Sequence, residues 1–334
     1  MTLPPILEDY VARIGLPASP SVERIFEIIF ADDEEIKLAG ALPGDAAELA
    51  SRLGVSVEKA ESWAKRLFFR GSIGFKKGKY RFYPAMIELR DAVLLWPEAP
   101  QELFDLWERV LQTEMNILTA MMTERKIPPL MRAIPIERTV SAPNAILDAD
   151  SARKIFEDAE LISAIPCVCR LQAKRSGRTS DCRAPETACC LQTNAFAEGM
   201  LARGVGERLT REEALRRIDE AEEAGLVHMV RNNIKKDMIL CNCCSCCCTS
   251  FIFYNKWGYR DAFVPSRFQA RGNPELCVAC GLCVDRCHFH AITINETAEV
   301  DPEKCFGCGA CVLTCPQEAL IMQEIRPLDY IRNT

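Results

Sequence analysis

The sequence predicts a multidomain α+β protein, and three observations lead there. Apolar residues recur at helical spacing through the first 125 positions, and short alternating segments interrupt them. All 19 cysteines lie between Cys167 and Cys315, so composition changes sharply near the middle of the 334-residue chain. These shifts divide the sequence into a helical domain at 1–90, a helical and mixed linker at 91–160, a cysteine-rich mixed domain at 161–264 and a C-terminal domain at 265–334.

Within the first domain, SVERIFEIIF opens a helix for which Ser21 is the expected N-cap, without a capping box because Arg24 stands three residues on. DAAELASRLGVSVEKAESWAKRLFFRG then reads as helix, Gly54 turn, second helix and Gly71 stop. Leu49, Leu53, Val55, Val57, Ala60, Trp63, Ala64 and Leu67 form the apolar faces. GFKKGKYRFYP alternates around Gly78 as a two-stranded hairpin. These segments together resemble a winged helix-turn-helix domain. The resemblance implies either DNA binding, through the 57–70 helix and Lys76, Lys77 and Lys79, or a docking or homodimerisation module of the same shape. Residues 1–90 hold 13 basic and 13 acidic residues. A neutral surface lacks the phosphate attraction that drives nucleic-acid affinity, so docking is the expected role.

Residues 101–125 read as one long amphipathic helix, with Leu103, Leu106, Trp107, Val110, Leu111, Met115 and Leu118 facing a core and Pro128–Pro129 ending it. Further on, Thr210 and Glu213 form a capping box for a helix at 211–224, Gly225 stops it, and GLVHMV reads as a strand. The N-terminus has neither a basic nor an apolar leader region, and no apolar run could span a bilayer. The expected location is cytoplasmic.

The C-terminal cysteines carry the strongest signal. Cys277, Cys280, Cys283 and Cys287 recur 28 residues later as Cys305, Cys308, Cys311 and Cys315, and Gly281, Val284 and Ala291 recur at the same offset. This duplication resembles the bacterial-type ferredoxins with two four-iron clusters. The resemblance implies that Cys277, Cys280, Cys283 and Cys315 hold one [4Fe-4S] cluster. Cys305, Cys308, Cys311 and Cys287 would hold the other. Pro316 follows the family pattern, whereas His288 stands where the first repeat would carry proline. It is read as a loop residue or hydrogen-bond partner, because thiolates already serve every cluster corner. Residues 270–326 hold four basic and eight acidic residues, which suits basic redox partners.

Eleven further cysteines lie between Cys167 and Cys248. Their runs, PCVCR, a spaced C and CC, then CNCCSCCC, resemble a group of large ferredoxin-like iron–sulfur proteins associated with anaerobes, which implies electron transfer. The candidate metal ligands are Cys167, Cys169, Cys182, Cys189, Cys241, Cys243, Cys244, Cys246, Cys247 and Cys248. If 241–248 were extended, Cys241, Cys243 and Cys247 would share one face and Cys244, Cys246 and Cys248 the other. Cys167, Cys169, Cys182 and Cys189 could then complete one or two further iron–sulfur clusters, with zinc or copper(I) as the alternative. The aromatic stretch FIFYNKWGYRDAF is expected to shield the clusters from water.

The resulting functional expectation is an iron–sulfur protein relaying single electrons between soluble redox partners, an electron carrier or oxidoreductase subunit more than a stand-alone enzyme. Two alternatives stay open: a redox-sensing DNA-binding regulator, and a reductase whose middle cysteines form a catalytic cluster.

Overall fold

The computed structural model describes residues 3–140, 150–179, 182, 184–187, 190–234 and 238–332, a mixture of helices and strands. The chain divides into two compact units. One comprises Met1–Ile127, Val168–Ser180 and Ala202–Val205, and the other comprises Pro128–Cys167, Asp181–Leu201 and Gly206–Thr334. Among the described residues, no helix is long and apolar enough to cross a membrane.

The first unit is mainly helical. The helix Ala46–Leu53 starts at a capping box, in which Asp45 accepts from the Glu48 N–H at 2.9 Å and Glu48 accepts from the Asp45 N–H at 3.0 Å. It ends on left-handed Gly54, and the helix Val57–Arg70 follows, capped by Ser56 and stopped at left-handed Gly71. Ala60, Trp63, Ala64 and Leu67 are buried as their spacing requires, but Val57 is 43% exposed because it occupies the first helical position, before the buried face begins. The hairpin β1 (Gly74–Lys76) and β2 (Lys79–Arg81) follows, with Phe75 paired to Tyr80.

Two sequence expectations change in this unit. Ser19, not Ser21, caps the helix Pro20–Ile29, accepting from the Val22 N–H at 3.2 Å. Ser21 lies inside the helix and donates to Glu114 at 2.7 Å, while the Ser19 hydroxyl donates to the same carboxylate at 2.5 Å. Glu114 in turn marks a break. The expected single helix is two, Gln101–Thr113 and Asn116–Glu124, with Glu114 outside helical geometry, although every apolar residue assigned to the face is buried. Apolar periodicity runs on across the break, so it could not reveal it.

The second unit is built on a six-stranded antiparallel sheet. Its strands are β3 (Met131–Ala133), β4 (Ile162–Ile165), β5 (Cys190–Thr193), β6 (Glu207–Arg208), β7 (Val227–Arg231) and β8 (Ile239–Cys243), in the spatial order β3-β7-β8-β5-β4-β6. Val230, Leu240 and Leu191 face one core, shared with Phe156, Ala214 and Ile218 from the helices Ala152–Glu157 and Arg211–Glu223. The latter begins at the expected Thr210–Glu213 capping box. Because side chains alternate along a strand, Val227, Met229, Cys241 and Cys243 point to the opposite face. There they meet Phe251, Phe263, Phe289 and Phe306, which pack around the C-terminal cysteines.

The C-terminal segment forms two small antiparallel pairs. Strand β9 (Phe268–Gly272) pairs with β12 (Leu320–Glu324), and β10 (Ile292–Ile294) pairs with β11 (Ala298–Val300). A buried ionic group ties this segment to the six-stranded sheet. Asp150 bonds Arg132 of β3 and Arg267 beside β9, the latter at 3.3 Å, and Arg267 also bonds Glu324 of β12. Arg132, Asp150 and Arg267 are each fully buried.

Candidate metal centres

The duplicated spacing folds as a duplicated backbone. Left-handed conformations recur at Ala279 and Gly307, at Gly281 and Gly309, and at His290 and Glu318, each pair 28 residues apart. Gly281 and Gly309 precede one-turn helices, Leu282–Asp285 and Ala310–Leu313, which carry the third cysteine of each run. The turns place Cys277, Cys280, Cys283 and Cys315 around one cavity of about 340 Å³. Cys287, Cys305, Cys308 and Cys311 surround a second of the same size. Each fourth cysteine thus crosses to the cavity of the other repeat.

The donor set suits iron–sulfur clusters. Thiolate sulfurs on a cluster gain from nearby N–H groups, which stabilise their charge. The N–H of Ala291 meets Cys287 Sγ at 3.2 Å, and its repeat partner, the N–H of Ala319, meets Cys315 Sγ at 3.3 Å. The Ala298 N–H approaches Cys277 Sγ at 3.3 Å.

The two cavities differ in environment. Cys280 is exposed, and a Cβ on Gly281 would meet nothing within 4 Å. In the second repeat, a Cβ on Gly307 would come within 1.9 Å of the Phe268 carbonyl oxygen, and one on Gly309 within 2.5 Å of Thr139 Oγ1. The first loop faces solvent, and the second presses against β9 and the segment after β3. Burial accordingly pushes the thiols of Cys305 and Cys311 up, and that of Cys308 to about 12. Val278, Leu282 and Leu276 beside the first cavity are 62%, 46% and 49% exposed, an apolar rim on an acidic domain.

The middle cysteines are arranged differently from the extended strand expected of them. Strand β8 ends at Cys243, and Cys244–Cys247 turn before Cys248 leads into the helix Thr249–Asn255. The turn regroups the thiols. Cys182 lies 3.6 Å from Cys244, Cys246 lies 3.2 Å from Cys244 and 3.6 Å from Cys247, and all four sulfurs fall within 4.8 Å of one another. The second set gathers beside it on the end of β8, where Cys190 Sγ is 3.9 Å from Cys241 Sγ. Cys243 bonds both Cys241 and Cys248, and Cys167 acts on Cys241 through space. Neighbouring thiols support selected thiolates. Cys244 and Cys247 hold Cys246 down to about 4, while Cys190 and Cys243 hold Cys241 down to about 7.

Cys190 is absent from the ligand set read from the sequence. Its signal was the pairing of CLQT with ILCNC, which sets Leu191 against Leu240 and so turns Cys190 and Cys241 to the same face. Cys169 lies in the other unit, on the helix Val168–Arg175, and its Sγ accepts from the buried Arg90 at 3.2 Å. Cys189 lies outside the described residues.

His288 links the two cysteine regions by hydrogen bonds. Its Nε2–H donates to the Gly225 carbonyl at 3.0 Å, so Nδ1 accepts, at 3.3 Å from the Ser245 N–H and 3.1 Å from the Ser245 hydroxyl. Burial lowers the histidine pKa and favours this neutral form. The aromatic stretch after Cys248 lies against both regions. Phe251, Tyr254 and Phe263 contact Phe289 and Phe306, which themselves stack at 4.4 Å.

No curated protein and no solved structure matches the chain. The family model described as the 4Fe-4S dicluster domain matches residues 276–319, so the C-terminal segment carries that domain.

Proposed function

We propose that the chain relays single electrons between soluble redox partners and that its exposed C-terminal cavity is the port. One observation carries the reading: each cavity is lined by four cysteines, but only the first has an exposed one, Cys280, beside the exposed apolar side chains of Val278 and Leu282. Cys277, Cys280, Cys283 and Cys315 hold one [4Fe-4S] cluster, and Cys287, Cys305, Cys308 and Cys311 hold the second. The clusters supply one-electron chemistry. The protein's part is to hold the thiolates, direct the Ala291, Ala298 and Ala319 N–H groups at them, and exclude water with Phe263, Phe289 and Phe306. The net acidic charge of residues 270–326 attracts basic partners. The middle thiolates bind further metal, and the Ser245–His288 contact sets their loop against the second cavity.

The N-terminal helices and hairpin form a winged-helix-like docking or dimerisation module. Arg66, central on the second helix, pairs with Asp32, Glu34 and the fully buried Glu35, and Lys65 and Lys79 pair with Glu61 and Glu48. These cations are engaged with carboxylates of their own domain, which leaves phosphate binding poorly served.

The port is tested with a basic haem protein as electron acceptor. The dithionite-reduced chain is expected to reduce it in a reaction that slows as salt rises, and Val278→Lys is expected to slow it about tenfold at low salt. Rates insensitive to both salt and Val278→Lys would place the port elsewhere.

A further inference from the structure

We infer that Cys182, Cys244, Cys246 and Cys247 form a mononuclear tetrathiolate site for one tetrahedral divalent ion, zinc or a single iron, and not a cube. The inference deepens the reading that the middle cysteines bind metal, and it does not depend on the C-terminal cavities.

Sulfur separation decides between the two. Four thiolates about 2.3 Å from a shared tetrahedral ion stand about 3.8 Å from one another. Three of the pairs here stand at 3.2 to 3.6 Å, and no pair exceeds 4.8 Å. On a four-iron cube each thiolate binds a different iron, so two iron–sulfur bonds and an iron–iron edge separate neighbours and push them further apart. The C-terminal cysteines follow that wider pattern, since no three of them lie within 4.8 Å of one another. Among the described residues, no other three cysteine, histidine or acidic side chains draw as close as these four.

The surroundings suit a closed four-coordinate site. Three ligands come from one tight turn, which fixes their mutual geometry, and Cys182 closes the set from a separate segment. The non-cysteine residue of the turn, Ser245, is held by His288 through both its N–H and its hydroxyl. Both histidine nitrogens are thereby engaged, Nε2 with Gly225, so His288 orients the loop and does not ligate. Cys246 is exposed, which leaves the ion an entry path.

The test uses the full chain purified without oxygen, analysed for zinc, iron and sulfide, with X-ray absorption at the edge of each metal. The expected result is one ion per chain surrounded only by sulfur, with no iron neighbour. It should be lost in Cys246→Ser and Cys182→Ser and retained in Cys169→Ser, with the reduced-cluster EPR signals unchanged in all three. Zinc, or one iron without accompanying sulfide, identifies the ion. Loss of four irons with sulfide in Cys246→Ser, or metal content equal to wild type in both variants, would overturn the assignment. On wild-type protein the zinc-edge measurement decides for zinc, and an excess of one iron over sulfide decides for iron because cubes contribute the two equally, even if the variants fold poorly.

Discussion

Replacing Cys283 by serine should remove one cluster outright and weaken the other. Cys283 is buried on the one-turn helix Leu282–Asp285 and lines the first cavity with Cys277, Cys280 and Cys315. Serine's hydroxyl is a poor substitute for a thiolate toward iron, so about four of the eight irons expected in the C-terminal segment should be lost. The second effect follows from the crossed ligands. Cys287 leaves the same helix for the second cavity, and Cys315 returns from the second repeat to the first. Ligation also supplies folding energy in segments whose cores are small, so releasing one cavity loosens both. Iron analysis together with thermal unfolding under argon would show both losses. A variant with full iron and unchanged unfolding would mean that Cys283 is not a ligand.

The second large effect is expected at Asp150. Its carboxylate lies between two guanidiniums, Arg132 and Arg267, with all three side chains at 0% exposure. Burial lowers the pKa of Arg132, and the neighbouring Asp150 carboxylate opposes that shift. Asp150→Asn removes that charge from between two buried cations, and the carboxylate of Glu324, which pairs with Arg267, is itself 39% exposed. Breaking a buried ion pair from one side costs about 3–5 kcal/mol. Urea unfolding of the cluster-loaded protein should show a loss of that order. A change under about 1 kcal/mol would mean that water or rearrangement compensates the arginines.

The C-terminal site was the most legible part of the sequence because its information is local. Two residues between cysteines force a tight turn, and repetition at 28 residues shows the turn twice. Even the crossed fourth ligands, inferred from resemblance alone, line the cavities where that resemblance puts them. The His288 departure was legible as a loop residue or hydrogen-bond partner, but its partners were not. That it was not needed as a ligand could be argued, but its bonds to Ser245 and Gly225 join segments 43 and 63 residues away.

The middle cysteines resisted for two physical reasons. Alternation assumes that a strand continues, and β8 stops at Cys243, after which the chain turns and reshuffles every later thiol. Cys190 owes its place to strand register, which depends on long-range pairing that no local pattern encodes. At helix ends the same distinction holds. Caps with local partners, Asp45 with Glu48 and Thr210 with Glu213, were readable in the sequence or consistent with it. The Glu114 break was not, because its partners Ser19 and Ser21 lie more than 90 residues away.

The C-terminal segment is expected to bind two cubes and the chain to carry electrons through them. Iron and sulfide analysis with EPR, on full-length protein purified and reduced without oxygen, tests it most directly. At least about eight irons with matching sulfide are expected, with a reduced spectrum broadened by coupling between two adjacent paramagnets. Stoichiometric zinc with no sulfide, and no EPR signal on reduction, would contradict it.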